Sequence, residues 1–137
     1  MKFTWLSDRA RRRDSERDYL SEVVVDSQVM PGVRFRIARI SFERRIELMR
    51  RVRELARRAE FLGAGQEAWE KMDAKLLEAE IERMYVAWGV RAVDGLRVDG
   101  KAAGAELLIE AGPEALFREA FAAVRREAGL SEEERKN

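Results

Sequence analysis

The chain has 137 residues, 46% of them hydrophobic and 39% charged, with a formal net charge of +1. That length supports one domain with a real core, and that apolar fraction argues against wholesale disorder. Histidine and cysteine are both absent, which removes disulfides, zinc fingers, thiol nucleophiles and the side chain best suited to moving protons near neutral pH.

No apolar run is long enough to cross a bilayer, and residues 1–8 lack the apolar segment of a signal peptide. A soluble, cytoplasmic protein without cofactor or metal is therefore expected, and catalysis is disfavoured. Charge is unevenly spread. Residues 1–64 hold 16 Lys+Arg against 10 Asp+Glu, and residues 65–137 hold 11 against 16. Opposed halves suit either compensation within one fold or head-to-tail contact between copies.

Residues 1–18 read as a charged N-terminal arm, residues 19–130 as a single compact domain, and residues 131–137 as a short polar tail. Within the domain, Glu22 to Asp26 and Val33 to Ile37 look like short strands joined across Pro31-Gly32. The second alternates, with Val33, Phe35 and Ile37 on one face and arginines on the other.

Ser41 is a suitable N-cap for a helix running to about Leu62, with Glu43 in its first turn. Leu48, Val52, Leu55, Ala59 and Leu62 form its apolar stripe, broadened by Phe42, Met49 and Ala56. Gly63-Ala64-Gly65 stops it. A second helix spans about Glu67 to Trp88, with Met72, Leu76, Leu77, Ile81, Met84, Tyr85 and Trp88 as its stripe. The short loop between them implies an antiparallel helical hairpin.

After Gly89, Asp94-Gly95 predicts a tight β-hairpin turn and Asp99-Gly100 a second turn. Residues 103–111 predict a short helix. Pro113 opens a last helix near 114–128, with Leu116, Phe117, Ala120, Phe121 and Val124 inward and Gly129 at its end. Ser131-Glu132-Glu133-Glu134 fits a capping box. The expected class is mainly α with short β hairpins (α+β), built on the helical hairpin over 41–88.

Arg44, Arg51 and Arg58 share one line of the first long helix, a charged surface open to acidic partners. Glu47 and Glu54 each precede an arginine by four residues and blunt the field, and no aromatic ladder accompanies the arginines, so nucleic acid is a disfavoured partner. Glu78 and Glu82 lack the Glu-x-x-His pattern of bundle metal sites. Trp5 and Trp69 fall outside the clear stripes and are candidate interface anchors, while Val23, Val24 and Val25 offer a strand edge for pairing with another chain.

Three segments bear a resemblance to a known family. They are Pro31 to Phe35 continuing through Ile40 to Leu48, Tyr85 to Val90 continuing through Gly95 to Gly100, and Leu107 to Glu114 with the ending Leu130 to Asn137. In these the chain resembles the tail assembly chaperones encoded among the tail genes of long-tailed phages and prophages. The resemblance covers residues 31–137 and holds no catalytic motif. It implies a small, helical, oligomer-forming protein of the host cytoplasm that binds the tape measure protein before the tail tube closes around it. It also allows a longer, frameshifted form. The other expectations are a head–tail connector or tail-completion subunit, which would be a homo-oligomer, and a basic-faced regulator acting on nucleic acid.

Overall fold

The computed structural model describes residues 16–129. Trp5, most of the charged arm, and the capping box and tail at 131–137 lie outside the described residues, whereas Glu16 to Asp18 are exposed. The architecture is mixed α+β and mainly helical.

Strand β1 (Glu22–Asp26) pairs antiparallel with β2 (Arg34–Ala38), and β3 (Val90–Asp94) joins the far side of β2. The alternation read in the sequence holds. Val33, Phe35 and Ile37 are buried, and Arg34 and Arg36 face solvent. On the open face Asp26, Arg34 and Asp94 stand opposite one another across three strands. Arg34 meets Asp26 at 2.9 Å and Arg36 meets Asp94 at 3.0 Å. These exposed pairs contribute little stability each. The buried face sets the register, because a one-residue slip would turn Phe35 and Ile37 into water.

Helix α1 (Phe42–Gly63) starts where expected, with the Ser41 hydroxyl accepting the Arg44 N–H at 3.2 Å. Helix α2 (Ala68–Gly89) starts with the Glu67 N–H donating to the Glu70 carboxylate at 3.2 Å. Leu48, Val52 and Ala56 of α1 share one buried cluster with Ile81, Tyr85, Val86 and Trp88 of α2 and with the inner face of the sheet.

Toward the α1–α2 loop the packing narrows. There Ala59, Ala74 and Leu77 are buried outside that cluster, and a Cβ built on Gly63 would lie 3.7 Å from the Cβ of Ala74. Small residues let two helices approach closely and bury only a thin seam. Met72 and Leu76, expected in the stripe of α2, therefore point outward, each 59% exposed; at the opposite end of α1 Phe42, also expected in a stripe, is 78% exposed. Leu55, Leu62, Met49 and Met84 are half-buried.

The Asp94-Gly95 hairpin expectation is corrected. Strand β3 pairs with β2, and the hairpin forms one turn later, between β4 (Arg97–Val98) and β5 (Lys101–Ala102). Asp99 and Gly100 both adopt positive φ, 50° and 78°, the paired left-handed geometry that suits the twist of a two-residue hairpin. Gly95 instead lets the chain cross the β1–β2 turn. Its φ is +83°, and a Cβ there would sit 2.3 Å from the Gly32 carbonyl oxygen. Gly95→Ala is expected to cost at least about 2 kcal/mol from left-handed strain and backbone overlap together. Urea denaturation checks this as a lower midpoint with an unchanged slope.

Helix α3 (Ala105–Ala111) begins two residues later than expected, because the Ala103 N–H donates to the Leu96 carbonyl at 3.0 Å. Helix α4 (Glu114–Ala128) follows Pro113 and ends at Gly129, whose φ is 60°. Its Leu116, Ala120 and Val124 are buried, and Phe117 and Phe121 are half-buried. Phe121 meets Tyr85 edge-on with ring centroids 5.6 Å apart. An ion pair from Arg118 to Glu82 ties α4 to α2.

Candidate interaction surfaces

Among the described residues no group of three or more His, Cys, Asp or Glu is placed to hold a metal. Glu82 is half-buried against Arg118, and Glu78 is exposed. Among the described residues no helix is long and apolar enough to cross a membrane. What the fold displays is surface.

The first surface is on α2. Trp69, Met72 and Leu76 are exposed by 61%, 59% and 59%. Their spacing of three and four residues puts them in one stripe. The seam facing α1 is made by Ala74 and Leu77, about a third to a half turn away around the helix, so the stripe faces outward. The sequence singled out Trp69 and misplaced the other two. Together the three form a second apolar register on the same helix. Phe61, 77% exposed, lies on the outward face of α1 beside Glu54, Arg57, Arg58 and Leu62.

The second is the edge of β1. Val23 and Val25 pack against the core while Val24 is 57% exposed. β1 is an outer strand of its sheet. Antiparallel pairing of two such edges centred on Val24 would set Glu22 against Asp26 of the other copy, and like charges directly opposite are destabilising. This edge therefore suits a foreign strand better than its own copy.

The three arginines of the sequence reading separate. Arg44 and Arg51 line one hollow with Glu47, Ala87, Trp88 and Arg91, whereas Arg58 sits beside Phe61. Glu47 and Arg51 pair at 2.9 Å, but no ion pair joins Glu54 to Arg58 among the described residues. Arg91 escaped the sequence reading because a break in register puts it there. Arg36 pairs with Ala92 and Ile37 with Val90, leaving Arg91 as the extra residue of a bulge in β3. Bulges re-aim side chains in this way.

A polar clamp holds the β1–β2 loop. The Glu119 carboxylate on α4 accepts the Ser27 hydroxyl, the Gln28 N–H at 2.7 Å and the Val29 N–H at 3.3 Å. Ser27 Oγ in turn accepts the Met30 N–H at 2.9 Å. Among the described residues Ser27 is the buried polar side chain, 6% exposed, and the clamp satisfies it. The loop is thereby fixed with Val29 and Met30 exposed at its tip. Glu119→Ala is expected to cost about 1–2 kcal/mol, since bonds to a charged acceptor exceed neutral ones but two of these are solvent-exposed. Faster amide hydrogen exchange at Gln28 and Val29, with α1 amides unchanged relative to global stability, is the measurement.

Comparison with known proteins finds no matching family model, curated protein or solved structure.

Proposed function

We propose that the chain is a non-enzymatic protein-binding factor, acting as a tail assembly chaperone that coats the tape measure protein of a long-tailed phage. The observation that supports it is the outward stripe of Trp69, Met72 and Leu76 on α2. Three large apolar side chains at helical spacing, exposed on a helix already packed on its other side, match what a long amphipathic helix needs to cover its own apolar face. Tryptophan is the commonest anchor of such contacts. Several copies along one partner would add avidity without new contacts. The partner's identity rests on the resemblance of residues 31–137 to that family.

The test is affinity capture of the chain from its native producer during phage assembly, with mass spectrometry of what co-purifies. A long, helix-rich tail protein, present with the chain before assembly and separated from it in finished particles, is the expected result. Stable incorporation into purified particles would overturn the chaperone reading in favour of a connector or tail-completion subunit. Salt-sensitive binding to DNA or RNA, with no protein captured, would overturn it in favour of a regulator.

A further inference from the structure

The bulge in β3 has a consequence at the surface. It delivers Arg91 to a hollow of about 370 Å³ that Arg44 and Arg51 reach from α1. The hollow holds three guanidinium groups and one carboxylate, Glu47, which pairs with Arg51 at 2.9 Å. The described residues supply no ion pair to Arg44 or Arg91. Its local balance is therefore +2, in a chain whose net charge is +1.

The hollow is the middle of a groove. On one side a second hollow shares Arg44, Glu47 and Arg51 with it and adds Glu43, Arg50 and the half-buried Ile46. On the other side a third shares Ala87 and Arg91 and runs past Leu107 to Glu106 and Glu110 on α3. Along its length the groove is of mixed charge around Ile46, then basic, then apolar with acids at its end.

We propose that this groove binds an extended acidic peptide segment of a partner protein, with two carboxylates seated against Arg44, Arg51 and Arg91. Guanidinium groups match carboxylates in paired, planar hydrogen bonds. A nucleic acid backbone fits worse, because its charge recurs at every residue while the groove sets Glu47 in the centre, Glu43 at one end and Glu106 and Glu110 at the other. Trp88, at 8% exposure, offers no free ring for a base. A peptide can place its acids centrally and uncharged residues on either side. This surface is separate from the Trp69 stripe and stands independently of the chaperone reading.

Fluorescence anisotropy on the full chain tests it, using a labelled peptide with a central pair of Glu between Leu and Ala residues. Arg91→Gln and Arg44→Gln are each expected to weaken binding at least about tenfold. Glu47→Gln is expected to tighten it, by removing the carboxylate that competes inside the hollow. The same peptide with Gln for Glu should bind at least about tenfold more weakly, and the remote variant Arg125→Gln should bind normally. Thermal melts confirm folding, and Arg91 is exposed, so its replacement leaves the core intact. Changing Trp69, Met72 and Leu76 should leave peptide binding unaltered, which separates this surface from the one above. Equal binding of the Gln peptide, no effect of Arg91→Gln, or tighter Arg91-dependent binding of a DNA duplex or inorganic phosphate would overturn the proposal. So would self-association of the chain that Arg91→Gln abolishes, since the occupant would then be a second copy.

Discussion

Replacing Trp69, Met72 and Leu76 together by Ser is expected to abolish partner capture while leaving the melting temperature nearly unchanged. The three side chains are 61%, 59% and 59% exposed, so the free protein gains little from them. Surface changes of this kind usually stay within about 0.5 kcal/mol each. In a complex that covers the stripe, each side chain would contribute on the order of 1 kcal/mol of newly buried apolar area. The triple variant should therefore bind at least about a hundredfold more weakly. Titration of whichever protein is captured against wild type and variant, with matched thermal melts, is the measurement. Unchanged affinity would remove the stripe from the binding surface. A large fall in melting temperature would show that it serves the fold instead.

Phe35→Ala should do the opposite and strike stability first. Phe35 has 0% exposure on the central strand, opposite Val25 on one side and Val93 on the other. Removing it takes away its transfer energy and leaves a cavity between sheet and helices, a loss of about 3–5 kcal/mol. Domains of this size retain only about 5–15 kcal/mol in total, so the variant is expected to lose a large share of its stability. A urea midpoint lowered in proportion, with binding restored by ligand excess or stabilising osmolyte, would confirm that the defect lies in folding. Val24→Ala, on the same sheet but 57% exposed, is the contrasting control.

The β1–β2 hairpin was legible because its signal is local. Alternating Val33-Arg34-Phe35-Arg36-Ile37 leaves one arrangement that buries the apolar set, and Pro31-Gly32 supplies the turn. The long helices were legible for a similar reason, through the Ser41 cap, the stop at Gly63 and the spacing of Leu48, Val52, Ile81 and Tyr85. The width of each buried stripe was not legible. Met72 and Leu76 have the same chemistry as Leu77, and only the single close neighbour beyond Ala59 and Ala74 decides which of them meets water. Likewise Asp94-Gly95 and Asp99-Gly100 are equivalent turn signals, and the pairing of β3 with distant β2 selected the second.

Tertiary structure also decided what each surface is made of. Arg44 and Arg51 were legible as neighbours on one helix line, but Arg91 reaches them only through a bulge whose cause is a register mismatch with β2. Glu119 and Ser27, 92 positions apart, had no sequence signal linking them.

By itself, the sequence determined which chemistry this protein has to work with. Capped amphipathic helices and an alternating strand, in a chain that is 46% hydrophobic and 39% charged, supply packing, hydrogen bonding and charge pairing. Local periodicity also determined which elements form, because helix and strand repeats are set by near neighbours. Only the tertiary structure decided which apolar residues remain uncovered on α2 and which arginines converge beside Trp88. Those outcomes depend on distances between segments far apart in the chain, where no local pattern carries the information.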